Sequence, residues 1–162
     1  MTTRRGPATF ARRWAAYQPH LPSPGDALDL GADHGAFSLS LARAGWRVIA
    51  VEAAPLQMDH PAVTVVQSRI HPAGILSLAQ AGRFDLALSL SFLHWQPDWG
   101  ECFAAIRRVA RVALIEVPHP DERAGGHYRA LYETVTSAGQ IIHTEPCWRG
   151  RYLRPTVLVR TP

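Results

Sequence analysis

The chain has 162 residues, 47% of them hydrophobic, and a formal net charge of +4, which suits one domain with its own core. No apolar run reaches membrane-span length, and the arginines of "MTTRRGPATFARRW" are followed by no signal-peptide core. The expectation is a cytoplasmic protein with no membrane partner.

All 17 basic residues are arginine, a bias that fits a GC-rich bacterial genome. They are scattered singly or in pairs, so a nucleic-acid partner is permitted by the charge but weakly supported. Their spacing sets no oligomeric state. Cys102 and Cys147 stand without metal-ligand spacing and are expected as two reduced thiols. "HPDERAGGH" fits no zinc pattern, so no metal is expected.

In chain order, "ATFARRWAAYQ" reads as an amphipathic helix cut off by "PHLPSPG". "ALDLG" is the first strand. The next helix carries Phe37, Leu39, Leu41 and Ala42 and stops near Gly45, a natural C-terminal cap. "RVIAVE" and "VTVVQ" are the second and third strands, residues 73–81 suit a short helix, and "FDLALSL" is the fourth strand. "DWGECFAAIRRVA" starts at Asp98, a good N-cap, and puts Phe103, Ile106 and Val109 on one face. "VALIEV" is the fifth strand. "GGHYRALYETVTSAG" is a helix ended by Gly139, and "QIIHTE" and "RPTVLVR" pair antiparallel because no helix separates them. Strands alternating with helices predict a parallel sheet covered on both faces.

Ligands of such sheets sit beyond the carboxyl ends of the strands. Gly31 and Gly35 let the backbone approach a ligand, and Glu52, 21 residues after Gly31, can accept hydrogen bonds from two ribose hydroxyls. A dinucleotide loop would have a glycine where Asp33 stands. Asp29 and Asp33 repel a pyrophosphate but welcome a cation. S-adenosylmethionine offers a ribose to Glu52 and an ammonium to Asp29. Asp33 serves equally well as a helix cap.

"LDLGADHG", "VIAVEAAP" and "FDLALSLSFLHWQPDW" resemble the successive motifs of the class I S-adenosylmethionine-dependent methyltransferases, over residues 26–117. "DLGADHGAFS…VIAVEAAP" also resembles the FkbM-type subgroup. The resemblance implies a single-domain, Rossmann-like α/β three-layer sandwich. Its mostly parallel sheet has seven strands in the order 3-2-1-4-5-7-6, with strand 7 antiparallel. It also implies S-adenosyl-L-methionine as cofactor, with Asp29 and the loop through Gly31, Ala32, Asp33 and Gly35 at the methionine part and Glu52 and Ala53 at the ribose. Members often bind adenine with an aspartate after the third strand. Here Ser68 and Arg69 follow Gln67, so Ser68 or backbone takes that role. Ser89, in the fourth strand, completes the expected cofactor set.

His94 follows the fourth strand and is the expected general base, with an ordinary pKa near 6.5; its bland alternative is a histidine held by backbone. His119, after the fifth strand, is the reserve. Trp14, Trp95 and His127 are expected to line the acceptor pocket. Residues 1–20 are expected as a lid over a core of residues 26–162. The expected reaction is one SN2 methyl transfer to an O or N atom of a small molecule. An RNA or protein methyltransferase and a non-catalytic partner subunit are the alternatives.

Overall fold

A computed structural model describes residues 7–79, 82–123, 126–147 and 150–161. Residues 1–6 of the expected lid, and residues 80 and 81 of the expected third helix, lie outside the described residues.

Helix α1 (Pro7–Tyr17) precedes β1 (Asp26–Leu30), α2 (Ala36–Arg43), β2 (Arg47–Glu52), β3 (Val63–Gln67), α3 (Pro72–Leu78) and β4 (Phe84–Leu90). There follow α4 (Trp99–Val109), β5 (Ala110–Glu116), α5 (Gly126–Ser137), β6 (Gln140–Pro146) and β7 (Leu153–Arg160). The seven strands form one sheet in the order β3-β2-β1-β4-β5-β7-β6. Strands β1 to β5 pair parallel, and β7 runs antiparallel to both β5 and β6. The expected architecture is therefore the observed one. None of the described helices is long and apolar enough to cross a membrane.

Strand alternation divides the core between two faces. Leu28, Leu30, Ala87 and Ile115 point to one side, where they pack with Phe103 and Ile106 of α4 and Leu131 of α5. Ala27, Leu86, Leu88 and Leu114 point to the other, onto Tyr17 of α1, Leu41 of α2 and Trp46. Each fully buried leucine or isoleucine contributes roughly 1.5–3 kcal/mol by leaving water. Phe103, Ile106 and Val109 are buried together, as their spacing predicts.

Helix α2 ends as expected. Gly45 takes φ +94°, its N–H donates to Ala42 at 3.0 Å, and the Trp46 N–H reaches back to Leu41 at 3.1 Å. This pair of bonds is the left-handed glycine cap, with Trp46 and Leu41 making its hydrophobic contact.

Asp98 departs from expectation. It sits at the N-cap of α4 without a side-chain cap bond, because its φ of −100° and ψ of 35° are not the extended geometry a cap needs. Its Oδ1 accepts instead from the Cys102 thiol at 3.7 Å. Cys102 and Cys147 are both buried.

Candidate functional site

Because β1, β2, β4 and β5 run parallel, their carboxyl ends share one edge, and three of them end in or near an acid. Asp29 lies level with Ala50 and Leu88, Glu52 with Gln67, and Glu116 with Leu90. That edge is where the sequence places the ligand.

On the β1–β2 side the loop after β1 is held by its own backbone. The N–H groups of Gly31 and Ala32 both donate to Val51, at 2.9 and 3.1 Å, and Gly35 donates to Ala32 at 2.8 Å. Gly31, Asp33 and Gly35 have φ of 74°, 53° and 73°. Asp33 thus stands in a left-handed position that glycine would fill without strain, and aspartate is among the few other residues that tolerate it. Its side chain is 77% exposed, with His34 Nε2 3.5 Å away. Helix α2 is capped by Gly35 rather than Asp33, so the capping role considered for Asp33 is corrected: the left-handed turn at residue 33 comes too early.

Glu52 closes this loop. Its Oε2 accepts from the Asp33 N–H at 2.9 Å, and its Oε1 accepts from Ala53 and Ala54 at 2.8 and 3.1 Å. Three of about four acceptor sites on a carboxylate are then taken. The remaining capacity, on Oε2, suits one incoming hydroxyl rather than the two expected.

Asp29 is only 3% exposed and accepts from the buried Ser38 hydroxyl at 2.6 Å. Burial pushes its pKa up to about 6, Ser38 opposes the rise, and the Glu52 charge adds to it. The Ser68 N–H donates to the Glu52 carbonyl, which places Ser68 beside the glutamate. The Ser68 hydroxyl donates to the Arg69 carbonyl at 3.0 Å and keeps lone pairs to accept an amino group. Ser68 and Arg69 are both exposed. The Ser89 hydroxyl is fully buried and without a partner among the described residues.

On the β4–β5 side, His94 sits in a short 3-10 turn, Leu93–Trp95. It is 5% exposed, and neither ring nitrogen has a hydrogen-bond partner among the described residues. Its ring centroid lies 4.8 Å from that of Trp95 and 5.7 Å from that of Tyr128. Burial pulls the imidazole down to about 4, helped by the Arg154 guanidinium and opposed by Glu116 and Glu122. This corrects the ordinary value expected from sequence. His127 joins the same aromatic group, 5.8 Å from Tyr128 and 5.9 Å from Trp99, with its Nε2 buried and without a hydrogen-bond partner among the described residues. Trp95 lies at the rim, 59% exposed.

His119 and Trp14 have other occupations. His119 Nδ1 accepts from the Asp121 N–H at 3.2 Å, its own N–H donates to Glu122, and its ring stacks on Tyr152. Trp14 is half-buried and tilts onto Phe37 at 6.4 Å, within the aromatic cluster of α1 and α2.

A family model described as a methyltransferase domain matches residues 3–147. The chain belongs to the S-adenosylmethionine-dependent methyltransferases. Its cofactor is S-adenosylmethionine. Among solved structures, the bifunctional kinase-methyltransferase WbdD superimposes with a TM-score of 0.70 at 19% identity, covering 97% of this chain and 41% of WbdD. The 1,6-didemethyltoxoflavin-N1-methyltransferase of Burkholderia thailandensis, with 1,6-didemethyltoxoflavin and S-adenosylhomocysteine bound, gives 0.69 at 21% identity, covering 95% and 78%. The N-terminal domain of EvdMO1 with S-adenosylhomocysteine gives 0.64 at 18%, covering 97% and 82%. The chain thus spans less than half the length of WbdD. At these identities the likeness is one of fold. No curated protein matches the sequence.

The methyltransferase site also contains residues that sequence reasoning missed. Glu116 is 1% exposed. It accepts from Arg13 Nη2 of α1 at 2.6 Å and from the Ser91 hydroxyl, and has Arg154 Nη1 at 3.7 Å. Arg13 Nε donates to Tyr17 Oη at 3.1 Å, and Tyr17 Oη pairs with Thr156 at 2.8 Å. Arg154 forks onto Glu122, with Nε 2.7 Å from Oε1. One signal for Glu116 was present: it ends a strand, as Asp29 and Glu52 do. Ser38, on the helix face facing Asp29, had none, because a serine among apolar positions reads as solvent-facing.

Proposed function

We propose that this methyltransferase acts on an O or N atom of a small-molecule acceptor, with His94 as the residue that receives it. The observation that carries this reading is the pair of buried, unpartnered nitrogens of His94 among aromatic side chains, one strand away from the cofactor loop. A buried imidazole without partners costs free energy, roughly 1–3 kcal/mol per unmet group, unless a ligand meets it. The solved methyltransferase from B. thailandensis holds 1,6-didemethyltoxoflavin, and the EvdMO1 domain was crystallised in the presence of D-fucose; both support a small acceptor.

S-adenosylmethionine supplies an electrophilic methyl group when bound. Glu52 Oε2 would accept a ribose hydroxyl, Asp29 would offset the ammonium, the loop from Gly31 to Gly35 would hold the methionine part, and Ser68 would accept from the adenine amino group. Ala53 and Arg69 flank these contacts, and the orphaned Ser89 hydroxyl gains a partner. With a pKa near 4, His94 is neutral at pH 7. It would accept the acceptor's O–H or N–H, orient its lone pair and take its proton, while the methyl–sulfur bond breaks and S-adenosylhomocysteine leaves. Trp95 and His127 bound the acceptor, and α1, with Trp14, covers the neighbouring edge. His119 stays the reserve base through its second ring nitrogen.

Labelled methyl from S-adenosylmethionine, incubated with a cell extract and the protein, should appear in the small-molecule fraction. Label confined to RNA or protein would overturn the reading and favour a macromolecular acceptor.

A further inference from the structure

Among the described residues around His94, Arg123 is a cation without a carboxylate partner. Nearby guanidiniums are matched: Arg13 to Glu116 at 2.6 Å, and Arg154 to Glu122. Arg129 is matched to Asp121 at 2.9 Å. Arg123 has no carboxylate within ion-pair distance among the described residues. Its guanidinium carbon lies instead 5.3 Å from the Trp95 ring centroid and 5.8 Å from that of Tyr128. These are the two rings that border His94.

Its placement is built rather than incidental. The preceding residue, Glu122, is clamped by the Arg154 fork and accepts the His119 N–H at 3.0 Å. The segment is fixed at its other end by the stacking of His119 on Tyr152. A clamped backbone holds Arg123 over the two rings that border His94. Trp95, more than half exposed, offers a flat face that the guanidinium now covers and that a planar ring takes once the guanidinium turns to an anion. The His94 imidazole also feels this positive charge, which helps lower its pKa.

We propose that Arg123 selects the acceptor: a flat aromatic or heteroaromatic ring carrying an oxyanion, such as a carboxylate. Arg123 binds the oxyanion, Trp95 stacks on the ring, and His94 meets the O–H or N–H that is methylated. The assignment rests on the small-molecule reading above and narrows it to one chemical class. An oxyanion gives Arg123 the bidentate partner it lacks, frees the Trp95 face, and leaves the buried pairs undisturbed.

The test uses three probes with one ring and different charge: para-hydroxybenzoate, para-hydroxybenzamide and tyramine, with para-aminobenzoate and para-aminobenzamide as amine counterparts. Methyl transfer is measured as S-adenosylhomocysteine formation, and binding is measured on protein loaded with S-adenosylhomocysteine. The anionic probes should exceed their neutral partners in kcat/KM by about tenfold or more, with tyramine poorest. Arg123→Gln should bring the anionic-to-neutral ratio within about threefold, and Arg123→Lys should restore part of it. The proposal is overturned if neutral or cationic probes are preferred, if Arg123→Gln leaves the ratio unchanged, or if none of these arenes binds. Transfer to non-aromatic small molecules would sink Arg123 selection while sparing the small-molecule reading. Label only in RNA or protein would remove both.

Discussion

On the β1–β2 side of the carboxyl edge, the acid at the site is satisfied by its own neighbourhood: Glu52 bonds the amides of Asp33, Ala53 and Ala54, none more than 19 residues away. On the β4–β5 side, Glu116 is reached by Arg13, 103 residues distant, and His94 is reached by no hydrogen-bonding group among the described residues. The first half is a preformed cradle whose shape is fixed before a ligand arrives. On the second, charges are held from afar and a buried imidazole stands without a hydrogen-bond partner among the described residues. A cofactor common to a family suits the first; an acceptor peculiar to one enzyme suits the second.

The largest expected effect is at His94. His94→Ala should lower kcat by about 10²–10⁴-fold, the usual contribution of a positioned base, and leave cofactor affinity close to wild type. Since the imidazole is held near 4, the acidic limb of kcat/KM in the wild type should fall near pH 4 and be absent from the variant. The same shift has a stability side. A histidine whose folded pKa is depressed is bound neutral, so its contribution is present above the unfolded value near 6.5 and lost as pH falls toward 4. Turnover unaltered by His94→Ala would make the two halves alike, both merely architectural.

Next comes the long-range support. Arg13→Ala leaves Glu116 buried with Arg154 at 3.7 Å, and removing one partner of a buried pair costs roughly 3–5 kcal/mol. With Arg154 still near, the loss should lie at the low end, about 3 kcal/mol by urea denaturation. Tyr17, fully buried, adds to the hold. Helix α1 is therefore clamped to the sheet through side chains on the β5–β7 strands. If Arg13→Ala instead unfolds at the wild-type midpoint but turns over slowly, α1 behaves as the separable lid that its amphipathic sequence suggested.

Glu52→Ala probes the cradle itself. It removes the proposed ribose acceptor and strands three backbone donors, so affinity for S-adenosylmethionine should fall by about 1–3 kcal/mol, measured by calorimetry. Affinity within twofold of wild type would show that the loop, not the carboxylate, holds the cofactor.

Asp29 carries a cost that the cradle accepts for function. Its pKa is raised from 3.8 to about 6, so its contribution to stability is complete below pH 3.8 and lost as pH rises through 6. Asp29→Asn, neutral throughout, should match the wild type near pH 3.5. Above pH 7 it should be more stable by up to about 3 kcal/mol, while binding S-adenosylmethionine more weakly. Wild-type affinity should itself rise as pH passes 6 and the carboxylate ionises. Equal stabilities at pH 7.5 would mean that Asp29 is not strained by burial.

Legibility in the sequence follows the same division. The strands, both helix layers, the acids at Asp29 and Glu52 and the glycine loop are written in local spacing, where period and glycine position carry the signal, whereas the strand order is implied by the resemblance of the motifs. The Arg13–Glu116–Arg154–Glu122 array is not, because it joins α1, β5 and β7 and depends on which helix faces meet. Ser38 was hidden for a related reason: its burial follows from facing Asp29, not from its polarity. The shift at His94 was equally hidden, since desolvation is a property of the packed state.

The smallest expected effect concerns the residue that breaks the glycine pattern. Asp33 sits at φ 53°, where glycine would relieve a left-handed strain of about 1–2 kcal/mol for most residues, and less for aspartate. Glycine also gives back entropy to the unfolded chain, offsetting much of that gain. Asp33→Gly should therefore change stability by less than about 1 kcal/mol. The bond to Glu52 comes from the residue 33 amide and survives the substitution, while the lost carboxylate is largely in solvent. Affinity for S-adenosylmethionine should then stay within about threefold, a change of under 1 kcal/mol. A tenfold fall would mean that the Asp33 carboxylate turns inward to meet the ligand's positive charge. The cradle would then depend, like the acceptor half, on a group that finds its partner only when the site is filled.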